Sequence, residues 1–247
     1  MRKRYLSSTV LLVAIMGVSV SAAEGMPGGS LRFDGKHVLQ AEHCKALDLE
    51  DAITMEAWVK PEKFDQGGTR IIDKFDYAYM LDTYPGNSLR MIVGNVPTMF
   101  DAKLPPGRWT HVAGVFSVND RIRKLYVDGQ EVASTGQASM PKMQQNSRPL
   151  LVGFCQKGGH EFRGEMDRVT IYNRALTPAE LAQLAADPMH TSHDLPGRVA
   201  DWDFRTGKGR SFVSRDPGGL ELAFEGRIEL TGSAHPPEGD LVLWYQK

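Results

Sequence analysis

One stretch of this chain carries a complete helix-start signal, and nearly everything ahead of it is patterned as short strands. Phe162-Arg-Gly-Glu-Met-Asp-Arg-Val-Thr-Ile-Tyr172 reads as a strand, and the chain turns at Asn173-Arg174. Thr177 then stands as helix N-cap, Pro178 as first helical residue and Glu180 at the capping-box position. Leu181 and Leu184 give the helix one apolar edge, and Asp187-Pro188 stops it, so a short helix is expected near residues 177–186.

Upstream, Ile53-Thr-Met-Glu-Ala-Trp-Val-Lys60 alternates cleanly. Ile53, Met55, Ala57 and Val59 share one face and Thr54, Glu56, Trp58 and Lys60 the other, with Pro61 closing the strand. Lys124-Leu-Tyr-Val127 and Gln130-Glu-Val-Ala133 flank Asp128-Gly129, a two-residue connection that supplies the positive φ of a type I′ hairpin turn. Ser30 to Phe33 is a strand closed by a turn at Asp34-Gly35, after which Lys36 to Gln40 resumes it. Further strands are expected at 70–75, 77–82, 88–93, 109–116, 149–154 and 162–172, with a long polar loop over 134–147. Many short strands, turn residues between them and one helix predict an all-β fold: two antiparallel sheets packed as a sandwich of jelly-roll type.

The first residues address the chain for export. Arg2, Lys3 and Arg4 precede the short apolar run Val10–Met16, and Ser21-Ala22-Ala23 offers a small-residue cleavage site. Residues 1–23 therefore read as a secretory signal peptide, too short in its apolar part to span a bilayer. The expected destination is the periplasm or the medium, with no membrane insertion after cleavage. A formal charge of −1 is no footprint of a nucleic-acid binder. Export also makes Cys44 and Cys155 candidates for one disulfide; the alternative is two separate buried thiols.

Five motifs in order carry a resemblance: Leu31-Arg-Phe-Asp-Gly35, Ile53-Thr-Met-Glu-Ala-Trp-Val59, Trp109-Thr-His-Val-Ala113, Leu125-Tyr-Val-Asp-Gly129, and Phe162–Val169 with Tyr172-Asn-Arg-Ala-Leu176. Together they resemble the laminin-G-like, pentraxin-like jelly roll of the concanavalin A-like lectin and glucanase superfamily, over residues 30–184. The opening strand and loop usual in that family have no room before Ser30. Similar segments, Val199–Phe204 and Asp216–Phe224, follow the helix instead. The expectation is that the tail from 195 to 247 supplies strands to the same sandwich, making residues 24–247 one domain; the alternative is a truncated second repeat or an extension packed on an edge. Arg168 is a second departure, since the family more often has an acidic residue there.

The resemblance implies a binding module for a glycan or polysaccharide, or a protein-interaction module at the cell surface. It also implies calcium, with Asp34, Asp167 and Asp216 as the residues at matching positions. The same residues have plainer roles open to them: Asp serves turns, and Asp167 can pair with an Arg. Hydrolases of similar fold carry Glu-x-Asp-x-x-Glu on one strand; here Glu165-Met-Asp167 is followed by Thr170 where the last Glu belongs, so binding without catalysis is the expectation and a glycoside hydrolase with a non-standard site the lesser alternative. His190 and His193, at metal-ligand spacing in a loop, are expected to be solvated. His111 is expected to be a hydrogen-bonded structural residue, and Trp58, Trp109 and Trp202 to be core. Sugar recognition needs an aromatic platform and a few orienting polar groups, and Tyr77, Tyr79 and Tyr84 with Asp82 and Asn95 occupy one strand-loop-strand region. The competing reading places these aromatics in the core.

Overall fold

The computed structural model describes residues 30–36, 38–64, 67–75, 78–135, 140–187 and 195–204, together with strand backbone at 211–213, 221–225 and 229–231. The proposed signal peptide and the His190–His193 pair lie outside the described residues. Sixteen strands and one α-helix are described. In chain order the strands are β1 (Ser30–Asp34), β2 (Val38–Ala41), β3 (Ala52–Pro61), β4 (Thr69–Asp73), β5 (Tyr79–Thr83), β6 (Ser88–Val93), β7 (Val96–Lys103) and β8 (Thr110–Ser117). They continue as β9 (Ile122–Val127), β10 (Gln130–Ser134), β11 (Leu150–Val152) and β12 (Arg163–Tyr172), then helix α1 (Pro178–Ala186). β13 (Arg198–Asp203), β14 (Ser211–Val213), β15 (Glu221–Glu225) and β16 (Glu229–Thr231) follow.

These form two antiparallel sheets, a β-sandwich of jelly-roll type. The first runs β10-β9-β8-β3-β12-β1-β16, with β13 also paired to β12; the second runs β14-β15-β2-β11-β4-β5-β6-β7. β12 is the hub of the first sheet: β3 lies along one edge, while β1 and β13 share the other, pairing residues 163–166 and 168–172 respectively. The Asp34-Gly35 turn does not resume one strand, as the local pattern implied. It carries the chain from β1 in one sheet to β2 in the other. β7 has no clear strand signal in the sequence, because Pro97 interrupts its pattern; as an edge strand it tolerates a residue with no N–H to donate.

The core lies between the sheets. Ile53, Met55, Ala57 and Val59 face it from β3, Val112 and Phe116 from β8, and Leu89, Met91 and Val93 from β6. Trp202 of β13 is fully buried in this cluster. Trp58 and Trp109 are also buried, but they form a pair of their own on the side of β3 away from that core. Beside them His111 Nε2 lies 2.9 Å from Glu56 Oε2, both side chains fully buried, so His111 has the structural role expected of it.

Helix α1 begins as the sequence dictates. Thr177 Oγ1 accepts from the Glu180 N–H, and Glu180 accepts in return from the Thr177 N–H. The Arg174 guanidinium also forks onto Glu180, at 2.7 and 3.0 Å, and holds that carboxyl down at about 2. The stability this lends is present above the ordinary carboxylate range and is lost as the pH falls toward 2. Leu181 and Leu184 bury against Ala113, Val115, Tyr126, Tyr172 and Leu176 on the outer face of the first sheet. The hairpin turn approaches the helix closely, since a Cβ on Gly129 would lie 2.9 Å from the Ala182 Cα. Among the described residues no helix is long and apolar enough to cross a membrane.

Gly164 marks the tightest backbone approach in the hub. Its φ is +136°, and a Cβ there would run into the Lys60 carbonyl and lie 2.9 Å from the Pro61 Cα. Gly164→Ala is therefore expected to destabilise by about 2–4 kcal/mol, from backbone strain and overpacking together. Urea unfolding checks this; a midpoint unchanged from wild type would mean that β12 and β3 can slide apart freely.

Candidate ligand-binding face

Strand alternation and register build a polar row on the outer face of the second sheet. In β5, Tyr79 and Leu81 point into the core, so Met80 and Asp82 point out. Asp82 pairs with Arg70 of β4 on one side and Arg90 of β6 on the other, and Arg90 in turn pairs with Met99 of β7. Four strands thus set Arg70, Asp82, Arg90 and Met99 side by side. The neighbouring row carries Leu151, Asp73, Met80 and Ile92.

The row is locked by charge. Asp82 is fully buried and accepts from Arg90 Nε at 2.9 Å and Nη2 at 2.7 Å, a bidentate fork, while also pairing with Arg70. Arg70 Nε lies 3.4 Å from Asp73 Oδ2. Asp73 in turn accepts from the Phe75 N–H at 2.6 Å and the Gln156 N–H at 3.4 Å. Burial lowers the Arg90 pKa from its usual value, against the influence of Tyr84. Above this guanidinium sits the Tyr84 ring, 4.4 Å from its centre, a cation–π contact that fixes the ring and leaves it open to solvent. A second aromatic, Phe75, has Arg148 at 4.0 Å and Lys157 at 5.2 Å from its ring.

Of the residues singled out in sequence, the structure brings Asp82 and Tyr84 together and separates the others. Tyr79 is corrected to the core: its ring is buried and its hydroxyl donates to the Leu47 carbonyl at 3.2 Å. Burial, reinforced by Cys44 and Asp48, pushes that phenol far up. Asn95 is exposed and completes the Gly94-Asn95 turn of the β6–β7 hairpin, with a φ of +64°. Tyr77 lies outside the described residues. Nothing local in the sequence ties Arg70, Arg90, Arg148 or Phe75 to a site; alternation puts Arg90 on the same side as Ile92, but only the register shows what it meets.

The calcium set does not assemble among the described residues. Asp34 Oδ1 accepts from the Lys36 N–H at 2.8 Å, a turn-closing role. Asp167 is buried in β12, where Leu31 opposes Met166 and Asp34 opposes Arg163. The two carboxylates are therefore about four residue pairs apart, roughly 13 Å along the strand, too far to share an ion with ligand bonds of about 2.5 Å. Asp216 lies outside the described residues, and no group of three or more His, Cys, Asp or Glu converges among those described. Cys44 and Cys155 stand as free thiols, half-buried and buried, not as a disulfide; Cys44 packs against the core as a small apolar side chain.

Lys74, just beyond the end of β4, is a buried cation. Its ammonium donates to the carbonyls of Asn146 and Arg148 and lies 3.3 Å from His43 Nδ1, and burial lowers its pKa. It pins the loop that carries Arg148. On the other sheet, Glu165 accepts from Ser30 Oγ at 2.7 Å and pairs with Lys60 at 3.1 Å. Glu165 opposes Lys60, and Glu56 lies four residues from Lys60 on the same strand. That separation of roughly 13 Å along the strand exceeds the ~5–9.5 Å of a glycosidase carboxylate pair.

Comparison with solved structures places the fold. A candidate carbohydrate-binding protein from Bacteroides ovatus superposes with a TM-score of 0.70 at 19% identity, covering 85% of this chain and 61% of that one. This chain thus spans less than two thirds of that relative's length. A heptameric SAP-like pentraxin from Limulus polyphemus matches with a TM-score of 0.54 at 17% identity, covering 80% of this chain and 95% of that one. Domain 4 of AbnA, a GH43 extracellular arabinanase from Geobacillus stearothermophilus solved with arabinotriose, matches with a TM-score of 0.52 at 22% identity, covering 68% and 82%. The family model Laminin_G_3 matches residues 33–182, well over half the sequence, and with the sandwich and its docked helix in view the chain belongs to this family of the concanavalin A-like lectin/glucanases superfamily.

Proposed function

We propose that this protein is an exported, non-catalytic carbohydrate-binding module that holds its ligand on the outer face of the second sheet. One observation carries the reading. Among the described residues, two large hydrophobic side chains are exposed, Tyr84 at 39% and Met99 at 40%, and both flank Arg90. An exposed ring held rigid by a guanidinium and bordered by polar groups suits the stacking of a sugar's apolar face. The similarity to a candidate carbohydrate-binding protein and to an arabinanase domain seen with arabinotriose supports the same reading. The N-terminal signal supports a periplasmic or extracellular destination, where polysaccharides are met.

The test is binding of the purified mature chain to a broad polysaccharide panel, with calcium and with a chelator. Binding is expected to survive the chelator, because Asp34 and Asp167 lie too far apart to share an ion and no three His, Cys, Asp or Glu converge among the described residues. Tyr84→Ala is expected to weaken it ~10- to 100-fold, as loss of a buried aromatic contact of about 1.5–3 kcal/mol implies. A chain that binds no polysaccharide, or binds one with Tyr84→Ala unaffected, would refute the assignment of this face and favour a protein-binding module.

A further inference from the structure

Tyr84 is not the only aromatic ring with cations beside it: Phe75, just beyond the end of β4, is a second. Phe75 lies at the far end, beside Arg148 and Lys157, and the two stations are joined through Arg90, Asp82, Arg70 and Asp73. Phe75 accepts through its carbonyl from the Ala78 N–H, so the stations are about six residues apart along β5, roughly 20 Å. That span fits several linked sugar units better than a single one.

The charge along this path is unequal. Both carboxylates, Asp82 and Asp73, are buried and taken up by the sheet: Asp82 by Arg70 and Arg90, Asp73 by Arg70 and two backbone N–H groups. They neutralise two guanidinia. Arg148 is exposed, has its guanidinium carbon 4.0 Å from the centre of the Phe75 ring, and among the described residues has no carboxylate partner. Its position is fixed from below, because Lys74 binds its backbone carbonyl and Asn146 Oδ1 accepts from its N–H at 3.0 Å. A planar guanidinium with its backbone held this way, set beside an aromatic ring and exposed to solvent, is a preorganised seat for a carboxylate or sulfate.

Resting on the carbohydrate-binding reading, we infer that the ligand is an anionic polysaccharide, lying across both stations with a negatively charged substituent on Arg148. Neutral glycans would leave that guanidinium without a counter-charge.

The experiment compares polygalacturonate with its methyl-esterified form, the same backbone without charge, and adds alginate, chondroitin sulfate and a neutral galactan. At least one anionic polysaccharide is expected to bind, and binding is expected to weaken at least about tenfold as NaCl rises from about 0.05 to about 0.5 M. If carboxylates are the recognised groups, methyl esterification abolishes binding; if sulfates are, chondroitin sulfate is preferred over the uronate polymers. Arg148→Gln and Tyr84→Ala are each expected to lower affinity for the same polymer by about tenfold or more, without shifting the unfolding midpoint. A neutral polymer bound as tightly as its charged counterpart, or an Arg148→Gln variant that binds like wild type, would overturn the inference and leave the carbohydrate-binding reading standing. Failure to bind any polymer, charged or neutral, would overturn both.

Discussion

Replacing Asp201 with alanine is expected to cost the fold about 3–5 kcal/mol, because it strands a buried guanidinium. Asp201 is fully buried on β13 and faces Arg168 of β12, whose Nε donates to Asp201 Oδ1 at 2.6 Å while Nη2 reaches Oδ2. Arg198 adds a contact to the same oxygen at 3.3 Å. Burial is the largest influence and opposes the charge on Arg168, but the hydrogen bonds and charge of Asp201, with Glu56 and Asp203 acting through space, together outweigh it, so the guanidinium's pKa ends up raised. Without Asp201, only Glu56 and Asp203 remain to act on it through space. Urea unfolding of Asp201→Ala reads the cost directly. The double variant Arg168→Met with Asp201→Leu removes both charges and is expected to recover most of the loss. A single variant within about 1 kcal/mol of wild type would mean that water reaches Arg168; a double variant no better than the single would point to packing instead of charge.

The same pair shows where sequence reading stops. Arg168 stood out as a departure from the family pattern, and its explanation lies 33 residues downstream, beyond the helix. Local rules reached what local interactions decide. The Asp128-Gly129 turn, the Thr177–Glu180 cap and the faces of β3 all follow from residues within a few positions of one another. What local rules could not reach is which strand faces which. Alternation says that Tyr79 and Asp82 lie on opposite sides of β5, but not that the Tyr79 side meets the other sheet. The aromatic pattern therefore offered three tyrosines as equals, when the packing buries Tyr79 and presents Tyr84. Trp58 shows the reverse case. It is buried as its size implies, but on the outer face, where it pairs with Trp109 and lies beside His111. Arg70, Asp82 and Arg90 form a row only through the register of three strands, and a bulge between Arg70 and Ile72 helps set it.

That row makes Asp82 the residue on which fold and proposed ligand face depend together. Asp82→Ala is expected to reduce polysaccharide binding about 100-fold and to destabilise the protein by about 2–4 kcal/mol. Its carboxylate is buried, forks onto Arg90 and pairs with Arg70; with it gone, two guanidinia repel each other across β5. Arg90 then loses the fork that holds it beneath Tyr84, so the ring loses its fixed seat as well. The binding loss should exceed that of Tyr84→Ala, which removes the platform and leaves the row intact. Two measurements separate the effects: urea unfolding for the stability term, and affinity at a temperature where the variant is fully folded for the site term. Asp82→Ala combined with Arg90→Gln removes the repulsion and is expected to recover stability without recovering affinity, because the Tyr84 ring still lacks its support. If the double variant regained both, the row would matter only for folding and the ligand would have to sit elsewhere. If Asp82→Ala bound as wild type while folded, Arg90 would be shown to hold its place without the fork, and the preorganisation assigned to this face would be wrong.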